Sequence, residues 1–374
     1  MKKIKFYDLR KLNKFYEKKF IKDFKVINNS GRYLIGNYVK KFEKELAKYC
    51  QSKFAIGVGN CVDAIKLSFM ALKIKGHLKN NDEVLVPANT YIASILGIIG
   101  ANLNPVLVDP DHKTFNLTAE NILKKMSKKT KAILVVDLYG HPSDLLEIKK
   151  ISEKYNIKVV HDAAQSLGAR IKNKMIGSFF ETTCFSFFPG KNMGAFGDAG
   201  AITTNNRQTY EIINSLRNYG EEPFINLKDR KYINNYKGVN SRLDEIQAAV
   251  LLNKLKNFKE DQKKRKKIAD YYLRYIKNSK IILPYLRKNF EHSWHLFVVK
   301  CKERNKLKKY LSKRNIETMI HYPKPVYKQP ALKEFKYKKF KVTEKIYNQI
   351  LSIPIYPTLN KHDIQYIVSV LNKF

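Results

Sequence analysis

The chain has 374 residues, with 72 Lys and Arg against 33 Asp and Glu, so its formal net charge is +39. Because 44% of the residues are hydrophobic and 12% are aromatic, the chain can build a sizeable core, which excludes disorder as its main state. A basic excess of this size is compatible with nucleic acid, an anionic membrane surface, an acidic substrate or a lysine-rich surface without a partner. The lysines are dispersed in pairs and only 263–267 forms a dense run, which favours the solvated surface.

The cysteines and the N-terminus indicate the cellular compartment. The four cysteines are far apart, without a CxxC pair or a nearby His at zinc spacing: Cys50, Cys61, Cys184 and Cys301. The basic N-terminus is not followed by an apolar segment, and the longest apolar run, 92–101, is about half of a membrane span. We therefore expect a cytoplasmic protein without a metal site, disulfides or membrane insertion.

Short β-rich runs alternate with helix-like segments through the first two thirds of the chain. The predicted strands are 54–58, 83–86, 105–108, 132–136, 158–160 and 183–187, with helical crossovers at 62–72 and 144–155. Several of these strands are apolar throughout, which is typical of strands buried on both faces of a mostly parallel sheet. The sequence therefore predicts an α/β open sheet covered by helices.

The pattern changes at Leu243, where a long helix begins, followed by a strand at 295–299 and further short elements. We predict two domains. Residues 1–250 form an N-terminal segment plus a large α/β domain, and residues 251–374 form a small C-terminal α+β domain. Residues 221–236 lack a clean periodicity and are predicted to form a long loop, which at this length is commonly functional.

Lys191 is a candidate nucleophile. It follows a Pro-Gly pair at the end of a predicted strand, and Gly194, Gly197 and Gly200 keep the surrounding backbone thin. A lysine amine that has lost its proton condenses with a carbonyl to form a Schiff base. Among 72 basic residues, however, an ordinary surface lysine explains Lys191 equally simply when it is considered alone.

A carboxylate just beyond another predicted strand makes the Schiff base the better interpretation. Asp162 ends an apolar run, and the carboxyl end of a parallel strand points into the crevice where α/β sheets bind ligands. Pyridoxal phosphate (PLP) needs an anion near its pyridine nitrogen, so that the ring stays protonated. Asp162 fits that role, with Gln165 near the ring hydroxyl, although a helix N-cap would also explain Asp162 alone.

These segments, with Gly-Asp-Ala-Gly at 197–200 and Gly-Val-Asn-Ser-Arg-Leu-Asp-Glu at 238–245, resemble the PLP-dependent nucleotide-sugar aminotransferases of the DegT/DnrJ/EryC1 family. Further similar segments lie at 30–36, 87–91 and 321–323, so the resemblance covers nearly the whole chain. It implies the aspartate-aminotransferase-like (type I PLP) fold, with a mostly parallel sheet in the large domain. It also implies a homodimer with shared active sites.

The resemblance assigns roles to individual residues. It implies that Lys191 carries PLP as an internal aldimine and moves protons, with pyridoxamine phosphate (PMP) as the other cofactor form. The implied cofactor-binding residues are Asp162, Gln165, Tyr91 on the ring, and Gly59, Asn60, Cys61, Val62, Ser186 and the neighbouring subunit's Asn240 at the phosphate. The implied substrate-binding residues are Tyr33, Phe188, Tyr219, Arg242, His321 and Tyr322. Core packing for Tyr91 and a structural role for Arg242 remain alternatives, and the family would have Tyr at 188 and His at 327.

The activity implied by the resemblance is transfer of an amino group from L-glutamate to the 3-keto group of a dTDP-linked 3-oxo-6-deoxyhexose. The product would be a dTDP-3-amino-3,6-dideoxyhexose of glucose or galactose configuration for surface polysaccharide such as O-antigen lipopolysaccharide. A 4-keto aminotransferase is the alternative. A sugar dehydratase is disfavoured because it would have His in place of Lys191. A DNA-binding regulator is disfavoured because no helix-turn-helix or aromatic and basic platform is visible, so no nucleic-acid partner is expected.

Overall fold

A seven-stranded sheet forms the centre of the fold in the computed structural model, which describes residues 3–222, 232–335 and 339–374. The strands in chain order are β1 Phe54–Val58, β2 Glu83–Pro87, β3 Asn104–Val108, β4 Thr130–Val136, β5 Lys158–Asp162, β6 Arg170–Ile171, β7 Lys174–Met175, β8 Thr182–Ser186, β9 Gly200–Thr204, β10 Phe290–Glu291, β11 Phe297–Lys300 and β12 Ile350–Ile353. The central sheet has the order β1-β9-β8-β5-β4-β2-β3, and every strand except β9 runs in the same direction. The predicted parallel α/β sheet is therefore confirmed.

Helices cover both faces of this sheet. In chain order they are α1 Leu9–Lys14, α2 Glu17–Ser30, α3 Asn37–Tyr49, α4 Cys61–Ile74, α5 Ile92–Gly100, α6 Ala119–Lys125, α7 Leu145–Tyr155, α8 Arg207–Leu216, α9 Glu245–Tyr275, α10 Arg304–Ser312, α11 Lys341–Gln349 and α12 Lys361–Asn372. Successive strand residues pack on opposite faces. Val84 and Val86 join one hydrophobic cluster with α4, α5 and α8, whereas Leu85 joins a second cluster with α3 and α7. Burial on both faces explains why these strands are apolar throughout.

Strand β9 is absent from the predicted set, and its residues show why. It is buried at every position although it ends in two threonines. The Thr203 hydroxyl donates a hydrogen bond to the Gly177 carbonyl oxygen at 2.7 Å, which removes most of the cost of burying it. A buried threonine whose hydroxyl bonds to a carbonyl oxygen far away in sequence interrupts the apolar pattern by which a buried strand is recognised.

The C-terminal part has its own hydrophobic cluster around the antiparallel pair β11 and β12. Helix α9 crosses the predicted boundary at residue 250. Ala248 and Leu251 pack under the central sheet, while Ile268 and Tyr272 belong to the C-terminal cluster. The division into domains at this residue stays a prediction. Most of the predicted loop 221–236 lies outside the described residues.

The dense basic run at 263–267 is divided between the interior and the surface. Helix α9 turns Arg265 inward, where it is buried and donates to the carbonyl oxygens of Trp294 at 3.1 Å and Ile355 at 2.9 Å. Lys263 and Lys266 face outward and pair with acidic residues of the same helix. Within the described ranges, none of the helices combines the length and apolar character needed to cross a bilayer.

Candidate active site

The carboxyl ends of the parallel strands meet at one edge of the central sheet, and most of the predicted cofactor residues lie there. Asn60 follows β1, Tyr91 follows β2, Asp162 ends β5 and Ser186 ends β8. Lys191 lies in the loop between β8 and β9. Because this edge is where open α/β sheets bind ligands, the topology itself creates the crevice.

The loop that carries Lys191 is held by its own backbone. The Lys191 N–H donates to the Phe188 carbonyl oxygen at 2.8 Å, and the Ala195 N–H donates to the Phe187 carbonyl oxygen at 2.7 Å. Burial lowers the pKa of the Lys191 amine, while Cys61 and the nearby Asp162 act in the opposite direction. In the part of the chain that the structure describes, this amine has no hydrogen-bond or ion-pair partner. A lowered pKa increases the fraction of neutral, nucleophilic amine.

Asp162 is a buried carboxylate with two donors. Its Oδ2 accepts from the Ser94 hydroxyl at 2.7 Å, and its Oδ1 accepts from the Ala164 N–H at 3.1 Å. Burial raises the pKa of Asp162, and the two hydrogen bonds and the charge of Lys191 oppose this shift. Sequence reasoning missed Ser94. The available signal was its place in the first turn of helix α5, which follows β2 after a short turn.

The turn between β1 and α4 forms an anion-binding end of the crevice. The Asn60 side chain caps α4 by accepting from the Asp63 N–H at 2.8 Å. The backbone N–H groups of Cys61 and Val62 have no acceptor among the described residues. A Cβ on Gly200, the first residue of β9, would lie 2.5 Å from the Asn60 carbonyl carbon, so only glycine lets β9 approach this turn. Free N–H groups at a helix N-terminus suit a phosphate.

Aromatic and imidazole side chains line the other side. The rings of Tyr91 and Tyr322 are 4.9 Å apart, and the Gln165 amide nitrogen donates to the Tyr322 hydroxyl at 3.0 Å. The Gln165 oxygen accepts from the backbone N–H of Tyr139 at 2.6 Å. Burial, with a contribution from Lys191, lowers the pKa of His321 to about 4, so this imidazole is neutral at neutral pH.

The outer predicted residues are more exposed. Phe188 and Tyr33 are exposed. Arg242 donates to the Asn218 side-chain oxygen at 2.9 Å and lies over the Tyr219 ring at 5.5 Å, which gives Arg242 at least a structural role. Asn240 is also exposed.

Tyr327 stands at the position where the family would have His. It is fully buried in the core against Phe340, and its hydroxyl lies 3.4 Å from a Glu344 oxygen. Tyrosine fills this core position with its ring. Sequence reasoning also missed Asn192 and His295, which contact each other beside the Lys191 loop.

The residues present fit PLP. A buried carboxylate, a lysine with a lowered pKa and free N–H groups at a helix N-terminus converge on one crevice, and these are the groups required by the ring nitrogen, aldehyde and phosphate of PLP. The fold and this site define a PLP-dependent enzyme of fold type I.

Comparison with known proteins gives the family. The DegT/DnrJ/EryC1/StrS aminotransferase family matches residues 15–372, and the chain belongs to this family of PLP-dependent aminotransferases. The dTDP-3-amino-3,6-dideoxy-alpha-D-galactopyranose transaminase of Aneurinibacillus thermoaerophilus is 44% identical over 371 residues, covering 99% of this chain and 99% of that protein.

Two solved structures are similar over nearly the whole chain. The crystal structure of Streptomyces venezuelae DesV in complex with a ketimine intermediate has a TM-score of 0.94 at 34% identity, covering 100% of this chain and 98% of DesV. The crystal structure of NtdA from Bacillus subtilis with bound cofactor PMP has a TM-score of 0.90 at 29% identity, covering 99% of this chain and 85% of NtdA. The predicted family, fold and cofactor are confirmed.

Proposed function

We propose that this aminotransferase transfers the amino group of L-glutamate to the 3-keto group of a dTDP-linked 3-oxo-6-deoxyhexose. The product is a dTDP-3-amino-3,6-dideoxyhexose of glucose or galactose configuration, for surface polysaccharide such as the O-antigen of lipopolysaccharide. The observation that carries the proposal is the 44% identity, over 99% of both chains, to a transaminase named for such a dTDP-linked product.

The roles of the chain's own residues follow from their chemistry. When bound, PLP supplies an aldehyde that condenses with amines and a protonated ring that withdraws electrons from the bond being broken. Lys191 would hold the cofactor through its amine and would carry the proton that moves between substrate carbon and cofactor, a task that its lowered pKa favours. Asp162 would keep the ring nitrogen protonated, and the N–H groups of Cys61 and Val62 would hold the phosphate.

We place the remaining predicted residues around this centre. Ser186 and Gly59 would support the phosphate end, and Gln165 would contact the ring hydroxyl. Tyr33, Phe188, Tyr219, Arg242, His321 and Tyr322 form the sugar-nucleotide side. Neutral His321 suits a polar sugar because it can donate or accept a hydrogen bond without carrying a charge.

The proposal includes a homodimer and a cytoplasmic location. Asn240 is exposed on this chain, which is the condition for reaching the phosphate of a neighbouring subunit. The four cysteines are buried and unpaired, as expected for a reducing compartment. Sedimentation of the purified protein tests the dimer. Restoration of activity on mixing Asn240→Ala with Lys191→Ala subunits tests shared sites, because a hybrid dimer would have one intact site.

A substrate panel tests the reaction. The purified, PLP-loaded protein is incubated with L-glutamate and 3-keto or 4-keto sugars linked to dTDP or UDP, and the products are identified by mass spectrometry and NMR. We expect amination at carbon 3 of the dTDP sugar. Amination only at carbon 4 would replace the proposal with the 4-keto alternative. Elimination without amination would support the dehydratase, which Lys191 disfavours.

A further inference from the structure

One short segment of the C-terminal part contacts three loops of the crevice. Residues 292–296, here called the strap, connect β10 to β11. The Ser293 N–H donates to the Gly140 carbonyl oxygen at 2.9 Å, and the Ser293 hydroxyl donates to the Gln165 carbonyl oxygen at 2.8 Å. The Leu296 N–H donates to the Tyr139 carbonyl oxygen at 3.1 Å. The strap therefore holds the loop after β4 and the loop after β5 together.

The strap also holds the residue next to the catalytic lysine. The Asn192 amide nitrogen donates to the Ser293 carbonyl oxygen at 2.8 Å, and the Asn192 oxygen lies 3.2 Å from His295 Nδ1. Because the amide nitrogen must face the Ser293 carbonyl, the amide oxygen faces His295, and Nδ1 must carry the proton. Asn192 is 7% exposed, so both of its polar groups need these partners.

Contact between the strap and the crevice is close enough to require glycine. Gly140 has φ of +101°, and a Cβ there would lie 2.2 Å from the Ser293 hydroxyl oxygen. Burial lowers the pKa of His295 well below its ordinary value, and the charges of Lys191 and Arg265 act in the same direction. A neutral imidazole can hold Asn192 without placing a second cation near the lysine.

We propose that Asn192 and His295, anchored by Ser293, are positioning residues that fix the Lys191 loop relative to the Gln165 turn. The inference rests on the assignment of Lys191 as the lysine that binds PLP. The residue types give no hint of it, because the three contacts join segments roughly 100 or more residues apart in sequence. Losing either amide contact frees the lysine loop while leaving Asp162 and the phosphate end of the crevice in place.

Covalent trapping of the cofactor tests the proposal independently of turnover. Borohydride adds hydride to the carbon–nitrogen double bond between Lys191 and PLP, and mass spectrometry then measures the trapped fraction. Total PLP is measured after alkaline release. For Asn192→Ala and His295→Ala we expect total PLP within about twofold of wild type and a trapped fraction roughly tenfold lower, since misplacing a reacting group by about 1 Å has large effects.

The matched variants separate positioning from general stability. Asn253→Ala removes a buried amide whose partner is Asp23 of helix α2, and we expect wild-type trapping. His295→Asn keeps a donor towards Asn192 and should restore most of the trapped fraction. In single turnovers with glutamate, the alanine variants should lower the rate constant without weakening glutamate binding.

Four outcomes would count against the proposal or its premise. Wild-type trapping in both alanine variants overturns the proposal, as does an equal fall of the trapped fraction in Asn253→Ala. Failure of His295→Asn to exceed His295→Ala also counts against it. If the wild-type protein traps no PLP on Lys191, the lysine assignment itself is wrong, and that result is distinguishable from failure of the strap.

Discussion

Removing the Ser94 hydroxyl should change the pH range in which the enzyme works. Ser94 donates to the buried carboxylate of Asp162 at 2.7 Å and is itself paired with the Thr90 hydroxyl at 2.7 Å. Burial already raises the pKa of Asp162. Ser94→Ala removes one of the two donors that stabilise the anion. Because only one hydroxyl is removed, we expect the rest of the site to keep its structure.

The size of the shift follows from the hydrogen bond. A bond to a charged acceptor contributes about 1.5–3 kcal/mol, and each pKa unit corresponds to about 1.4 kcal/mol, so the pKa of Asp162 should rise by about 1–2 units. In the proposed function Asp162 acts as an anion. A higher pKa therefore leaves it protonated up to a higher pH, and activity on the acid side is lost at a higher pH than in wild type.

The assay is kcat/KM across the pH range, with PLP affinity measured in parallel. We expect the acid limb of Ser94→Ala to move upward by about 1–2 units, with PLP affinity falling on the same side. Ser94→Thr keeps the hydroxyl and should restore the wild-type limb. Ser68→Ala removes a buried helical serine that bonds to the Ala64 carbonyl oxygen and should not move it. An unchanged acid limb in a folded Ser94→Ala protein would refute the electrostatic role of Ser94.

Four further results are expected. Lys191→Ala should abolish turnover and borohydride trapping, and turnover at the wild-type rate would contradict its role. Gly200→Ala should weaken PLP binding roughly tenfold by equilibrium titration, because its Cβ would lie 2.5 Å from the Asn60 carbonyl carbon, whereas Gly100→Ala meets only a flexible lysine chain and should not. Asp137→Ala should lower the free energy of unfolding by about 3–5 kcal/mol in denaturant titrations, since it leaves a buried imidazole and hydroxyl without their acceptor. Raising ionic strength should lower kcat/KM for the anionic sugar nucleotide if the positive surface steers it, and a salt-independent kcat/KM would contradict steering.

The sequence predicts most strands of the central sheet because these strands have recognisable local patterns of apolar residues. The runs at 54–58, 84–86 and 132–136 are apolar without interruption, as expected of strands covered on both faces. Strand β9 was not predicted, because its buried threonines form their hydrogen bonds with residues outside the strand. The same distinction separates Asp162, which lies at the end of a predicted strand, from Ser94, whose role depends on how close helix α5 lies to the end of β5.

The strap shows the limit of sequence reasoning more clearly. Asn192 adjoins Lys191, yet its partners lie about a hundred residues away, in a segment whose own pattern indicates only the approach to a strand. Hydrogen bonds between distant loops have no periodicity, so no local rule detects them. The resemblance to a family supplied the residues proposed to react, whereas the residues proposed to hold them in place required the three-dimensional contacts.

The positions of individual cations show that part of the large positive charge does not lie on the surface. Arg265, in the middle of the densest basic run, is buried and donates its hydrogen bonds to backbone carbonyl oxygens. Lys254 is buried as well, and donates to the carbonyl oxygen of Gly194 at 2.6 Å, three residues beyond Lys191. Burial lowers the pKa of Lys254 to about 8, so alkaline conditions should neutralise it and weaken a contact to the lysine loop. Some basic residues are therefore buried, and Lys254 contacts the loop that carries Lys191. The net charge overstates the positive surface that is available to a polyanion.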